Sequence, residues 1–302
     1  MKQKTFEWSL ERGDLLPLLL LLPTLLVIIL IIVLPLFYGL FLSFFNIRLG
    51  GKSSVDSFVG LSNYLQFFRD PTALKATVNT VLFSFGAIAG DFFLGTLIAL
   101  GLLRLKNLTS WIVRTVVMMP LLISPVVVGL IWRYIYDPKG ILYWFLGKFG
   151  IGTAQFPGVT AASTSLLSTI IAHTWAVTPF VVIVLTAGLL SIPEEYYEAS
   201  KIDGAGPFRT FFQITLPQLT NVYIVILLVS GVDTIKVFDI IYALTGGGPN
   251  NSTISLSMYA YSQAYDQSNL SYSIAVSMLT MLLTFCIFGI PFIKHNLAKG
   301  NR

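Results

Sequence analysis

The side chains best able to do chemistry are charged groups set inside apolar runs: Asp91, and further on Asp233, Lys236 and Asp239. A charge at membrane depth is costly, so each is a functional candidate by default. Asp233 and Lys236 are three residues apart, share a face in a continuous helix and can neutralise each other. Asp239 lies three further on, on nearly the same face. Two readings stand side by side. Either Asp233, Lys236, Asp239 and Tyr242 line a polar passage for a hydroxyl-rich solute, with Phe238 and Tyr242 offering rings to stack on, or the charges lock their helix to a neighbour. Asp91 carries the same two alternatives. His173, near Trp175, has no carboxylate on its face and reads as a satisfied packing residue rather than a proton relay. The hydroxyls of residues 163–169 and 252–257 either bond across helices or cap them.

Several chemistries are excluded. The chain has no His-Glu-x-x-His, no Gly-x-Ser-x-Gly and no His/Cys cluster suited to a metal. Gly51-Lys52-Ser53 imitates the end of a phosphate loop, but Asn46 stands where the leading glycine is required. No cofactor is expected, and any energy from ATP has to come from other chains.

The elements that must position these residues are membrane spans. Of 302 residues, 55% are hydrophobic and 11% charged, against about a quarter charged in soluble domains. The scattered basic residues fit topology better than nucleic-acid binding. Six apolar segments reach the roughly 20 residues that a span needs: Leu15–Phe45, Val78–Leu103, Ile112–Tyr136, Leu166–Leu190, Leu219–Leu244 and Tyr272–Ile293. The first is too long for a signal peptide and lacks a small-residue cleavage site, so it reads as an anchored span bent at Pro23 or Pro35. Cys286, the single cysteine, reads as a buried inert thiol. Eleven Lys and Arg fall on the side of the termini and seven on the other, which places both termini in the cytoplasm. The external connections, residues 46–77, 137–165 and 245–271, are too short for separate domains.

One cytoplasmic connection is richly punctuated. Ser191 with Glu194 reads as a capping box, and Pro193 as a first-turn proline. Glu194, Glu195 and Glu198 suit the positive end of a helix dipole. Gly204, Gly206 and Pro207 end that helix, and an apolar piece runs from Phe208 to Leu216 before Pro217. The expected shape is helix, sharp turn, helix, held between two spans.

Within it, Glu198-Ala199-Ser200, then Gly204, then Ile214 and Leu216-Pro217 resemble the EAA loop of ABC importer permeases at the family spacing, with Ser200 replacing the second alanine. Phe58–Tyr64, Asn79-Thr80 and Leu244–Thr253 resemble segments of the sugar-importing, maltose-permease-like branch. The Gly246–Pro249 run is open to two readings, a tight external turn or a contact with a binding protein. The resemblance implies an all-α membrane protein with six spans and the type I ABC importer fold. It also implies a layout of a cytoplasmic N-terminus, first span and external segment over 1–74, a transport core over 75–293 containing the 191–217 loop, and a cytoplasmic tail over 294–302. The implied protein is a non-catalytic subunit of the bacterial cytoplasmic membrane, taking a carbohydrate from an extracytoplasmic binding protein. It would pair with a second, homologous permease and be driven by two ATP-binding cassette subunits, which meet Glu198, Ala199, Ser200, Gly204, Ile214, Leu216 and Pro217. A permease for glycerol phosphate or a peptide is the alternative within the class. An ion-coupled transporter is the alternative outside it, although the two halves show no internal repeat.

Overall fold

The computed structural model describes residues 15–50, 57–105 and 107–300. Gly51–Ser53 and the basic residues Lys2, Lys4, Arg12, Lys106 and Arg302 lie outside these. In chain order the helices that position the sites are α1 (Leu20–Leu42), α2 (Ser62–Arg69), α3 (Pro71–Arg104), α4 (Asn107–Met118), α5 (Pro125–Ile135), α6 (Ile141–Gly147) and α7 (Ala162–Leu190). They continue as α8 (Glu194–Ile202), α9 (Pro207–Gln218), α10 (Thr220–Ile235), α11 (Asp239–Leu244), α12 (Leu256–Tyr265) and α13 (Leu270–Lys294). Two isolated bridges, Phe45 with Phe58 and Arg48 with Asn269, are the only β-type pairings among the described residues.

Helices α1, α3, α7 and α13 are each long and apolar enough to cross a bilayer. The third and fifth expected spans are not continuous. α4 extends through a 3-10 turn at Met119–Leu122 and meets α5 at 106°; the fifth breaks between α10 and α11, and α9 meets α10 at 66° just before it begins. Two prolines explain the first break. Pro120 lies in the 3-10 turn, and Pro125 opens α5, forcing the preceding Ser124 into an extended conformation. Counting each bent pair as one span gives six.

Prolines also explain three widened turns. The π-helical segments Ile29–Val33, Phe211–Thr215 and Phe285–Gly289 each end two residues before a proline: Pro35, Pro217 and Pro291. A proline cannot donate to the carbonyl four residues back, and a π turn absorbs the mismatch. In α1 the irregularity therefore belongs to Pro35, and Pro23 sits within regular helix.

The core is the contact of α3 with α7. Gly86 and Gly90 face α7 so closely that a Cβ on either would stand 2.7 Å from Ile170 Cδ1 or Thr174 Oγ1, and Gly95 meets Val181 closer still. Small residues at this spacing let two helix backbones approach, the usual solution where no hydrophobic effect drives association. α10 closes against both helices through Ile226 and Ile235, with its N-cap Leu219 in the same packing. Cys286 differs from expectation. It is exposed on the outer surface of α13, because an apolar run does not distinguish a lipid-facing position from a buried one.

Candidate functional sites

The first site is the helix pair α8–α9 at the end of α7. Ser191 does not cap α8. It ends α7, its hydroxyl donating to Gly188 O at 2.7 Å. Pro193, with extended ψ, takes the N-cap position, so α8 starts one residue later than a first-turn proline requires, with Glu194 and Glu195 in its first turn. The far end follows the sequence closely. Gly204 adopts φ +70°, Gly204 N donates to Lys201 O and Ala205 N donates to Ser200 O at 2.9 Å, a Schellman closure that favours glycine. Pro207 then opens α9.

Ser200, the departure from the family alanine, is buried between the two helices. Its hydroxyl donates to Tyr197 O at 2.9 Å and accepts from Thr210 Oγ1 at 3.4 Å, and Tyr197 OH lies 3.3 Å from Thr215 Oγ1. The pair is thereby pinned as a unit. Ile214 and Leu216 are half-buried, while Glu198, Ala199, Gly204 and Pro217 face outward. The tip is apolar and bare: Ile202 is 86% and Phe208 80% exposed. Behind the pair opens a cleft of about 1450 Å³ between α3 and α10, lined by Phe92, Thr96, Tyr197, Phe208 and Tyr223. Across it Thr96 and Tyr223 share a hydrogen bond of 2.6 Å.

The second site lies where the fifth span breaks. Lys236 Nζ stands 3.0 Å from Asp233 Oδ1, with both side chains largely exposed, so this expected ion pair forms. Asp239 does not share their face. α10 ends at Ile235, Phe238 takes φ −134° and ψ −57°, and Asp239 begins the separate helix α11. Ser255 Oγ satisfies the carbonyl freed at Val237, donating at 2.8 Å. Phe238 stacks on Tyr242 with centroids 5.3 Å apart and planes at 24°. Tyr261 of α12 reaches the same rings at 4.9 and 5.8 Å, and Tyr265 lies 4.7 Å beyond it. Tyr261 and Tyr265 were missed because their segment reads as a connection. Their four-residue spacing, which puts both on one helix face, was the available signal.

Asp91 and His173 lie apart from this cluster, at the α3–α7 contact. Asp91 is 0% exposed, and neither carboxylate oxygen has a hydrogen-bond partner among the described residues. His173 is a packing residue, edge-on to Phe83 at 5.2 Å, but it is not satisfied, since both ring nitrogens lack hydrogen-bond partners among the described residues.

A third arrangement joins segments singled out separately in the sequence. Gly246 and Gly247 have φ of +60° and +87°, which makes the glycine run a tight turn. α3 holds that turn in place. Lys75 Nζ donates to Asn250 O at 2.6 Å, Asn79 Nδ2 donates to Asn251 O and Ile254 O at 3.0 and 3.1 Å, and Leu256 N donates to Thr80 Oγ1 at 2.9 Å. Tyr259 OH donates to Asp70, the N-cap of α3. Burial and that bond push the Tyr259 phenol up from its ordinary range.

A bundle of continuous and broken apolar helices, with an apolar-tipped helix pair at one end and an aromatic, charged break towards the other, is the architecture of a polytopic membrane protein. The model of the family described as binding-protein-dependent transport system inner membrane component matches residues 91–293, and the chain belongs to that family. It is 36% identical to the trehalose/maltose transport system permease protein MalF of Thermococcus litoralis over 78% of this chain and 79% of that one. It is 34% identical to the sulfoquinovosyl glycerol transport system permease protein SmoG of Agrobacterium fabrum over 93% and 91%. A crystal structure of a bacterial ABC transporter involved in import of the acidic polysaccharide alginate contains a chain of the same fold, with a TM-score of 0.77, 22% identity and coverage of 95% of this chain and 96% of that one.

Proposed function

We propose that this chain is the non-catalytic permease subunit of an ATP-driven carbohydrate importer, with residues 75–293 as its transport core. One observation carries the reading. A short helix pair, internally pinned through Ser200 and Thr210, presents Ile202 and Phe208 bare to solvent at the end of two spans. Such a tip needs a protein cover. Two cytoplasmic ATPase subunits supply it, one per permease, with a second homologous permease completing the passage. Closing of the ATPases pushes the α8–α9 pair, and the bonds of Tyr197 and Ser200 to α9 pass that motion to α10 and the break above it. The counts of Lys and Arg support placing this pair and both termini in the cytoplasm.

A carbohydrate fits the break better than an anion does. Phe238 and Tyr242 supply rings, Asp233 and Asp239 supply acceptors for hydroxyls, and Lys236 is already paired with Asp233, which disfavours a phosphate. An extracytoplasmic binding protein delivers the solute near the Gly246–Asn251 turn. The energy source is tested by uptake in cells. Uptake that survives a protonophore while ATP is maintained, and stops on ATP depletion, supports the reading; the reverse pattern refutes it.

A further inference from the structure

The stretch from Tyr134 to Phe149 packs on the first half of α7, remote from the α8–α9 pair: Tyr136 OH donates to Ser168 O, and Tyr136 shares a cluster with Ala172. The inner side of α6 packs through Leu142 beside Tyr136 and Phe156, and Tyr143 is buried. The outer side of α6 presents Ile141, Trp144 and Phe145 on one face, and Phe149, just past the helix, sets its ring 5.4 Å from that of Phe145; Trp144 is 64% and Phe149 68% exposed, and Tyr134 at the end of α5 is barer still. A cluster of rings this large does not face water without a reason.

Chemistry indicates what covers it. Tryptophan and tyrosine flanked by lysine is the composition of the membrane–water interface, where the ring body is buried and the charged head reaches outward. Lys148 Nζ sits 4.0 Å from the centroid of the Trp144 ring, at the edge of the patch. From residue 133 to 160 the charges are Arg133, Lys139 and Lys148 against Asp137 alone, a basic balance that complements anionic headgroups. α5, which leads into this stretch, turns 106° from the line of α4.

We propose that residues 134–149 form an interfacial anchor, seated in an anionic bilayer on the face remote from the α8–α9 pair. Trp144, Phe145 and Phe149 enter the acyl boundary, and Lys139 and Lys148 stay at the phosphates. A docking binding protein is the competing cover for the same rings.

The test uses the assembled transporter with its partner subunits, in vesicles of phosphatidylcholine with phosphatidylglycerol. A nitroxide is attached at Phe149→Cys in a Cys286→Ser background, with Ile141→Cys as the second site should the first variant fail to assemble. The expected result is that oxygen reaches the label more readily than a water-soluble nickel chelate does, at a depth of about 5–10 Å. In pure phosphatidylcholine the label should ride shallower. Preferential nickel access, a label reached by neither reagent, or a label newly shielded only on adding the binding protein overturns the anchor. Equal depth in both lipids overturns its anionic preference.

Discussion

Replacing Gly204 separates two reasons for a glycine at the tip of the α8–α9 pair. Its φ of +70° costs an L-residue about 1–2 kcal/mol, with asparagine and aspartate tolerating that region best. No atom of the described residues lies within 4 Å of where a Cβ would stand, so the first side-chain atom has open space. The folding cost is thus confined to the backbone and is small beside the about 5–15 kcal/mol of a typical fold. Membrane abundance should stay within about twofold for Gly204→Ala, Gly204→Asn and Gly204→Asp, since surface substitutions of this size leave most of the folded population intact. If only the left-handed backbone matters, transport follows conformational tolerance, and alanine is the worst of the three. If an ATPase surface closes over the turn, transport follows size and charge instead. We expect alanine to retain most uptake, asparagine less, and aspartate to lose at least about tenfold, the loss of 1.4 kcal/mol of coupling. The assay is substrate-stimulated ATP hydrolysis and uptake by the reconstituted complex, normalised to subunit content. Undiminished uptake by Gly204→Asp, or alanine ranking below both polar variants, refutes the docking argument.

Three further outcomes follow from the packing and the polar contacts. Asn79→Ala removes both bonds to the 250s turn and leaves two carbonyls unpaired, so thermal unfolding in detergent should show a loss of about 1–3 kcal/mol, with earlier proteolysis at that turn. Gly231→Ala places a Cβ 2.5 Å from the Phe288 ring; overpacking should cost about 1–3 kcal/mol in the same assay, with partial rescue by Phe288→Leu. Lys236→Met breaks an exposed ion pair of under about 1 kcal/mol, so stability should barely move; a rise in the KM for uptake, shared by Tyr242→Ala, assigns both residues to the solute passage, and unchanged uptake removes them from it.

What could be read from the sequence is local. The spans follow from apolar length, and the turn at Gly204–Pro207 follows from two residue types with strong backbone preferences. The break at Lys236–Phe238 was not legible, because no proline or glycine marks it and the bond that satisfies it comes from Ser255, 18 residues on. Reading a continuous helix there put Asp239 on the wrong face. The break at Pro120 and Pro125 had a signal, two prolines inside one span, that apolar length alone concealed. Ser191 looked like a cap because its spacing to Glu194 was right, but Pro193 delays the helix and leaves the hydroxyl to α7. The Lys75, Asn79 and Thr80 contacts cross more than 170 residues of chain, so each partner could be recognised while their meeting could not. Asp91 could be singled out as a charge in a span, but its complete burial against α7 depends on Gly90 and its neighbours, which only the packed helices reveal.

The central claim, that the α8–α9 tip is where an ATPase meets this chain, is tested most directly by cross-linking. With Cys286→Ser removing the one native thiol, Ile202→Cys carries a short photoactivatable cross-linker in the assembled transporter. A covalent adduct to the ATP-binding subunit, changing in yield when ATP is added, is the predicted result. A tip that labels no ATPase while the complex remains active contradicts the account.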